Sequence, residues 1–545
     1  MKKYILFFSM FTLLHAVTYA QGWLWAEQEG SDRTEHLLSL CQDINQNLYL
    51  SSSVHLGLGG SSINIYLGSD TFTVLDGKLA IVKYNDNGVY QWAKLFDNGH
   101  YMNSSNVYVY NDKSNNNLYL FGDFEDSIRF DTTLLFAQGR DLFFARMNEN
   151  GNILWAKRIS GTGSEFEGIV SFENNGNIVI NGLTTNGADI DTFNVPPGTF
   201  YVRYDTSGNC LNAKTVFQPA DSVINFDRVE FNNISYLTGY FSGTAQFDTI
   251  SLTSNGATDF FIAAMDKNFN FQWAKNIGGS RDDGGRVITC DNSAKLYVTG
   301  YFMDSISVAN QVFYSPTIYG FILQADTNGV VNWFQQITGN INSNGGGPSI
   351  DKLRTFNNDL LYIGGNFSDT VQFGNQNIIA NSPSDAFIAS YDSSGNFLDV
   401  SVIGYGHVMG LEVDVAGNPI VAGDLYAPAT LGSFSLGNYG LNDFFIAKHA
   451  ILNKVPELQK TAGNSLHIYA NPSEGEIRIR LPEEFLHARN LTLSIFDNSG
   501  KLVSQFTIDA EGENLLLNLN RLVSGMYQVI LTDGRKKFTG KMEIQ

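Results

Sequence analysis

The stretch LYVTGYF, Leu296–Phe302, recurs with small changes along the chain. Six related segments begin at Leu48 (LYLSSSV), Leu118 (LYLFGDF), Ile178 (IVINGLT), Ser235 (SYLTGYF), Leu361 (LYIGGNF) and Pro419 (PIVAGDL). The copy at Leu48 has Ser52 at its fifth position, where the others have glycine, and these glycines are spaced by 60, 57, 61, 65 and 58 residues. Self-similarity at a fixed period indicates one supersecondary unit that is repeated along the chain.

Each repeat contains three further strand-like elements. A short apolar run precedes the LYVTGYF-type segment, as in RVITCD (Arg286–Asp291), and a run such as FIASYDSSG (Phe387–Gly395) follows it. The last element is of the QWAK type (Gln272–Lys275). The Asp-x-x-Gly linkers before that element are typical of hairpin turns, because Gly and Asn accept the left-handed conformation.

Four short antiparallel strands at a fixed period predict the blades of a β-propeller. We therefore expect an all-β fold with a seven-bladed propeller over residues 21–450. The seventh repeat lacks its last strand, and GWLWAEQEG (Gly22–Gly30) supplies an orphan copy at the other end of the chain. Pairing of Trp23–Glu27 with the blade begun at Gly410–Ala450 would close the ring and remove an exposed edge.

Five tryptophans occupy one equivalent position of the repeat: Trp25, Trp92, Trp155, Trp273 and Trp333. This recurrence favours packing between blades over a platform for sugar stacking. The repeats differ most in two inserts, Gly57–Asp76 in the first and Asn186–Gly198 in the third. Neither insert is rich in His or paired acids, which favours binding over catalysis.

The first twenty residues predict a signal peptide. Lys2 and Lys3 precede a short apolar run, and small residues lead to a cleavage site between Ala20 and Gln21. No later stretch is long and apolar enough to predict a membrane span. The three cysteines (Cys41, Cys210 and Cys290) lie in strand patterns of separate repeats, and we expect buried free thiols.

A polar linker over residues 451–464 separates the repeats from a different pattern. Alternating strands with Gly turns over residues 465–545 predict a small Ig-like β-sandwich. The motifs YANPSEG (Tyr469–Gly475), IFDNSGKLV (Ile495–Val503) and LVSGMYQV (Leu522–Val529) come in order before a basic closing strand.

These motifs resemble the C-terminal sorting domain of type IX secretion cargo (type A). Tyr469, Asn471, Pro472 and Gly475 match the opening motif of that family, and Ala470 departs from it where many members carry Pro. The resemblance implies passage across the outer membrane of a Bacteroidetes-type bacterium by the type IX machinery. The repeats upstream are similar to secreted β-propeller repeats of the form DxFIAKYDxxGNxxWAKxIGG, a family that implies an architecture but no activity.

Charge is distributed unevenly between the two regions. The chain has a formal net charge of −20, and the propeller and linker hold 23 basic against 44 acidic residues. Such a surface argues against nucleic acid and anionic membranes as partners. Acidic residues recur in the loops after the QWAK-type strands, where we expect a solvated acidic rim formed by Asp32, Glu35, Glu165, Glu167, Asp282 and Asp283.

No catalytic, cofactor-binding or metal-binding motif stands out in the sequence. The main hypothesis is a non-enzymatic, monomeric binding protein for a glycan or a protein, secreted or held at the outer-membrane surface after passage through the periplasm. The alternative is a carbohydrate-active enzyme, a glycosidase or lyase, with its site in the propeller centre. A purely structural role in a surface layer is a third hypothesis.

Overall fold

The computed structural model describes residues 22–55, 62–74, 78–98, 106–218, 223–309, 311–340, 347–437 and 439–450 of the repeat region. In the C-terminal region it describes 466–469, 476–482, 485–486, 488, 491–496, 502–510, 512, 514–519, 522, 525–532 and 537–544. The chain separates into two compact units, Met1–Asn453 and Lys454–Gln545. The described residues form strands and turns, and none of their helices is long and apolar enough to span a membrane.

The described part of the repeat region contains seven antiparallel four-stranded sheets, here numbered 1 to 7. Sheets 1 to 3 comprise β2 (Thr34–Gln42), β3 (Leu48–His55), β6 (Lys78–Tyr84) and β7 (Tyr90–Asn98); β8 (Val107–Asp112), β9 (Asn117–Phe130), β10 (Thr133–Met147) and β11 (Ile153–Gly161); and β12 (Glu165–Phe172), β13 (Ile178–Thr184), β16 (Gly198–Tyr204) and β17 (Cys210–Phe217).

Sheets 4 to 6 follow the same order along the chain. They comprise β18 (Val223–Phe231), β19 (Ile234–Phe241), β22 (Asp259–Met265) and β23 (Phe271–Ile277); β24 (Gly284–Cys290), β25 (Leu296–Val308), β26 (Gln311–Ala325) and β27 (Val331–Asn340); and β28 (Ser349–Phe356), β29 (Leu360–Phe367), β32 (Asp385–Asp392) and the first part of β33 (Phe397–Val413).

Sheet 7 joins the two ends of the repeat region. The second part of β33 pairs with β34 (Pro419–Leu425), which pairs with β37 (Asp443–His449), and β37 pairs with β1 (Trp23–Ser31). The register places Trp23 opposite His449 and Glu29 opposite Phe444. The N–H of Ala450 also donates to the carbonyl of Gly22 at 3.0 Å. The orphan N-terminal strand therefore lies where the sequence predicts it.

The first strands of the sheets lie side by side around one cavity. Strand β2 contacts β8, β12 contacts β9 and β18, and the series continues through β24 and β28 to β33, which contacts β2 again. Each sheet thus buries its faces against its neighbours, and apolar clusters extend from one sheet into the next.

Each of the seven sheets carries a β-hairpin between its second and third strands. Four hairpins are β4 (Ile63–Leu67) with β5 (Asp70–Val74), β14 (Ala188–Ile190) with β15 (Phe193–Val195), β20 (Thr244–Phe247) with β21 (Ile250–Thr253), and β30 (Thr370–Phe373) with β31 (Gln376–Ile379). A fifth joins β35 (Ala429–Leu431) to β36 (Phe434–Leu436), and in sheets 2 and 5 the long strands β9–β10 and β25–β26 form it. The two inserts that distinguish the first and third repeats therefore each contain one hairpin of this repeated set, and residues 57–61 and 75–76 of the first insert lie outside the described residues.

The hairpins fasten neighbouring sheets together. Four of them extend the outer strand of the preceding sheet by pairing with β1, β7, β11 or β27. At the tips of the hairpins of sheets 2, 3 and 4, an aspartate with positive φ accepts a backbone N–H from its own sheet and pairs with a lysine of the preceding sheet. These sets are Asp131 with Ile153 and Lys94, Asp191 with Cys210 and Lys157, and Asp248 with Phe271 and Lys214.

The repeated tryptophans pack between sheets, as the sequence predicts. Each indole lies against the turn glycine of the next sheet: Trp25 on Gly88, Trp92 on Gly151, Trp155 on Gly208, Trp273 on Gly329 and Trp333 on Gly395. Sheet 3 lacks the tryptophan, and there Phe269 replaces the turn glycine and lies 4.8 Å below the guanidinium of Arg203.

The shared glycine of the LYVTGYF-type segment is required by a close crossing of strands. A Cβ at Gly300 would lie 2.1 Å from the carbonyl oxygen of Gly284, and a Cβ at Gly365 would lie 1.9 Å from that of Ser349. The first strand carries a β-bulge at this level in both sheets. The shared glycine therefore marks the close approach of the first strand's backbone.

The C-terminal unit is a two-sheet structure with one apolar core. One sheet contains β38 (His467–Tyr469), β39 (Glu476–Arg480) and β42 (Asn514–Asn518), and the other contains β41 (Leu502–Ile508), β40 (Leu491–Phe496), β43 (Gly525–Thr532) and β44 (Lys537–Ile544). Ile477, Leu493 and Val529 are among its fully buried residues. The predicted linker, residues 451–464, lies outside the described residues.

The three cysteines are free thiols. Cys41 is buried, as expected, whereas Cys210 and Cys290 are only half-buried, so the expectation of three buried side chains is wrong for two of them. Burial nevertheless raises the pKa of Cys210 and Cys290 to about 12.

Candidate functional site

The bulges in the first strands place unlike residues at equivalent positions of six sheets. Apart from sheet 2, each first strand has extra residues relative to its partner strand at the level of the shared glycine or Ser52. The bulge residues that line the cavity are Leu38, Gly168 with Ile169, Phe226, Arg286, Asp351 and Met409. A position that is equivalent in structure but different in every sheet is where a repeat protein can acquire a specific site.

The first strands of all seven sheets line a single central cavity of about 620 Å³. Its wall is apolar at Leu38 and Met409 and charged at Asp227, Lys352 and Glu412. Phe226, in β18, exposes 39% of its surface. An exposed aromatic ring beside charged groups suits a ligand with both apolar and polar faces.

Arg286 connects the aromatic and acidic parts of this site. Its guanidinium lies 5.8 Å from the ring centroid of Phe226 and 5.6 Å from that of Tyr301. Its Nη1 donates to Oδ1 of Asp351 at 3.0 Å, and the Ser349 hydroxyl donates to the same oxygen at 2.8 Å. The two rings and the carboxylate fix the guanidinium plane, so its remaining donors have a defined direction.

A side cleft of about 440 Å³ adjoins the central cavity, and Arg286 lines both. Its other lining residues include Tyr240, Tyr301, Met303, Ile318, Pro348 and Asp282. The Thr258 hydroxyl donates to Oδ1 of Asp282 at 3.2 Å. Burial, reinforced by Tyr240, raises the pKa of Tyr301, so its hydroxyl remains a hydrogen-bond donor at neutral pH.

Asp227 and Lys352, which line the central cavity, have perturbed pKa values. Burial raises the pKa of Asp227, whose Oδ2 accepts the N–H of Ile288 at 2.9 Å. Burial lowers the pKa of Lys352, partly offset by Asp351. The Asp227 carboxylate joins the first strands of sheets 4 and 5, which gives it a structural role.

Charged side chains also cross the other end of the cavity. Glu412 accepts from Lys113 at 3.3 Å and from Arg354 at 3.2 Å. Burial opposes ionisation of Glu412, but the two cations outweigh it and the pKa lies below its ordinary value. This ion-pair triad links sheets 2, 6 and 7.

The predicted acidic rim is wrong for three of its members. Glu35, Glu165 and Asp283 are fully buried. Each accepts the backbone N–H of the residue four positions earlier, from Ser31 at 2.8 Å, Gly161 at 3.0 Å and Gly279 at 2.6 Å. Burial raises the pKa of each to about 7. These buried carboxyl groups hold the connecting loops by hydrogen bonds to their backbone. The burial of an acidic residue in such a loop cannot be recognised from the sequence.

The remaining members of the predicted rim differ in their solvent exposure. Asp32 is exposed and accepts the Tyr66 hydroxyl at 3.2 Å, whereas Asp282 is half-buried in the side cleft. Glu167 lies in β12, and its side chain is outside the described part of the structure. Among the described residues, no group of three or more His, Cys, Asp or Glu side chains is arranged to hold a metal ion.

Of the predicted sorting motif, the structure describes Tyr469, whose hydroxyl donates to Oδ1 of Asn514 at 3.0 Å. Asn471, Pro472 and Gly475 lie outside the described residues, as do Ala20 and Gln21 at the predicted cleavage site. Sequence reasoning missed Phe226, Arg286 and Asp351. The feature that distinguishes them is that the bulge position carries a different residue in each sheet. This difference can be seen only when the strands are aligned by their hydrogen-bond register.

Comparison with known proteins gives distant similarities for the repeat region. An uncharacterized WD repeat-containing protein of Acanthamoeba polyphaga mimivirus is 24% identical over 203 residues, which cover 30% of this chain and 14% of that protein's length. Among solved structures, the Synechocystis apocarotenoid oxygenase is 9% identical with a TM-score of 0.37, covering 78% of this chain and 94% of its own. The phage phi92 endosialidase is 10% identical with a TM-score of 0.35, covering 95% and 87%.

The C-terminal region gives the specific match. Residues 467–545 match the model of the secretion system C-terminal sorting domain. This range agrees with the two-sheet unit and with the resemblance of its motifs to type IX cargo. The chain thus ends in a type IX sorting domain, which indicates export to the cell surface or secretion.

Proposed function

We propose that this exported protein is a closed seven-bladed β-propeller that binds carbohydrate at the mouth of its central cavity, without catalysing a reaction. The propeller assignment rests on the order of contacts among the first strands and on the pairing of β1 with β37. The observation that carries the binding role is the set of unlike bulge residues around one cavity, with Phe226 exposed beside Arg286 and Asp351.

The chemistry of these residues suits a sugar. Pyranose rings present apolar C–H faces that pack on aromatic rings, while their hydroxyl groups need both donors and acceptors. Phe226 offers the ring, Arg286 the donors and Asp351 the acceptor, and Arg286 contacts both of the others. The Arg–Asp pair is arranged in advance, which lowers the entropy cost of binding.

A glycan array probed with the mature protein tests the proposal. We expect binding to at least one carbohydrate, with loss in Phe226→Ala and Arg286→Ala and retention in Phe136→Ala. Phe136 is a suitable control because it is 61% exposed on a hairpin and does not line the cavity. Absence of binding to every carbohydrate on the array would refute the proposal.

The alternative is a carbohydrate-active enzyme that uses the same cavity. Asp227 favours it, because its raised pKa is a property of general acids. An assay for new reducing ends, with Asp227→Asn as the matched variant, separates the two functions. Turnover that disappears in Asp227→Asn while carbohydrate binding persists would establish the enzyme and reject the binding-only proposal.

A further inference from the structure

The side cleft adds a second carbohydrate contact surface to the mouth of the central cavity. The two spaces meet at Arg286, which lines both, while its neighbours Ile350 in the cleft and Asp351 in the cavity are consecutive residues of one strand. Arg286 also touches an aromatic ring on each side, Phe226 toward the cavity and Tyr301 toward the cleft. Its guanidinium is therefore positioned to donate to groups bound on either side.

From this continuity we infer that the carbohydrate is an uncharged oligosaccharide, bound in an extended form with successive residues in the central cavity mouth and the side cleft. This inference rests on the proposed function. The cleft has about 440 Å³ of space, within the roughly 300–1,000 Å³ of small-molecule sites. Tyr240, Tyr301 and Met303 give it apolar surface, while Asp282 and Ser349 provide polar groups.

Local charge argues for an uncharged ligand. Arg286 is already paired with Asp351, and Asp282 lies on the same cleft wall. The charged residues that line the cleft are thus Arg286, which is already paired, and Asp282, within a protein whose formal net charge is −20. A glycan with carboxylate or sulfate groups would be repelled at long range and would find no free cation in the cleft. Hydroxyl groups can pair with both the carboxylates and the guanidinium.

The test uses matched polysaccharides in affinity gel electrophoresis of the mature protein. Hydroxyethyl-cellulose, galactomannan and amylopectin serve as uncharged probes, and carboxymethyl-cellulose as the anionic counterpart of the first. We expect retardation by at least one uncharged probe and none by carboxymethyl-cellulose. Calorimetry with the cello-, manno- or malto-oligosaccharide series of the retarding probe should show the hexasaccharide binding roughly tenfold or more tightly than the disaccharide.

Cleft variants identify where the additional affinity arises. Tyr301→Ala should weaken hexasaccharide binding by roughly tenfold, to about the level of the disaccharide. Ile318→Trp fills the same cleft from another strand, and it tests the inference if Tyr301→Ala does not fold. Tyr314→Ala is the control, since Tyr314 is 71% exposed and lies outside the cleft. It should bind like the unmodified protein.

The outcomes separate this inference from the proposed function. Equal affinity for disaccharide and hexasaccharide, preference for the anionic polymer, or unchanged hexasaccharide binding in both cleft variants would overturn the inference while leaving carbohydrate binding intact. Failure to bind any of the probes, including anionic ones, together with a negative glycan array, would overturn both.

Discussion

The pairing of β1 with β37 makes a quantitative prediction about Trp23. This side chain is 8% exposed, and its ring lies 4.8 Å from that of His449 in an edge-to-face contact. Its neighbour Leu24 points the other way and is 49% exposed. The two residues are neighbours in one strand, where Leu24 lies at the register shift between Trp23 and Trp25, so they form a pair that differs in burial for truncation to alanine.

Truncation of a buried tryptophan costs about 3–5 kcal/mol. The entropy of unfolding is about 2.1 cal/mol/K per residue, which for a repeat region of roughly 430 residues gives about 0.9 kcal/mol/K. Trp23→Ala should therefore lower the Tm of the repeat region by about 3–6 °C. Leu24→Ala should change the stability by no more than about 0.5 kcal/mol, which corresponds to less than about 1 °C.

Differential scanning calorimetry of the mature protein measures both variants. Equal shifts for Trp23→Ala and Leu24→Ala would refute the assigned register and the burial of this strand. Deletion of residues 22–31 provides a second readout, because it leaves the edge of Asp443–His449 unpaired. We expect concentration-dependent association of that variant in size-exclusion chromatography, and a monomer at all concentrations would contradict the closure of sheet 7 by β1.

Three further predictions follow from buried or paired groups. Burial raises the pKa of Glu35 to about 7 from its ordinary value of 4.5, so the stabilisation by its protonated form is complete below about pH 4.5 and is lost as the pH rises through 7. In urea unfolding, Glu35→Gln should be more stable than the unmodified protein by up to about 3 kcal/mol at pH 8 and nearly equal to it at pH 5. The same difference at both pH values would contradict this. Asp191 pairs with Lys157 at 3.2 Å and accepts the Cys210 N–H at 2.9 Å, so in chemical denaturation Asp191→Asn should cost less than about 1 kcal/mol and Asp191→Ala about 1–3 kcal/mol; the reverse order would show that charge dominates. The thiols of Cys41, Cys210 and Cys290 have raised pKa values, so a thiol reagent at pH 8 should react with them slowly in the folded protein and with all three after unfolding, and a fast-reacting native thiol would contradict the burial.

Repetition made much of the fold predictable. The shared glycines, the turn motifs and the tryptophans each recur because one local geometry recurs, so Trp92 on Gly151 and Trp333 on Gly395 follow the same rule. The orphan strand at Trp23 was placed correctly for the same reason, since a repeat with a missing part identifies its own complement.

The candidate site could not be predicted in this way. Phe226, Arg286 and Asp351 occupy one equivalent position, but the bulge that aligns them depends on strand register, which is a property of the folded sheets. The prediction of a solvated acidic rim failed for a related reason. Acidic residues in loops are usually exposed, but Glu35 and Asp283 are buried and accept hydrogen bonds from backbone N–H groups.

The sequence by itself determined the period, the strands and the sorting domain, because these depend on local propensity and on motifs that are contiguous in the chain. Tertiary structure alone decided which side chains meet in the central cavity. Arg286 and Asp351 are 65 residues apart and come within 3.0 Å only when sheets 5 and 6 pack side by side. Burial, which sets both the exposure of Phe226 and the pKa of Glu35, likewise exists only once the sheets have assembled.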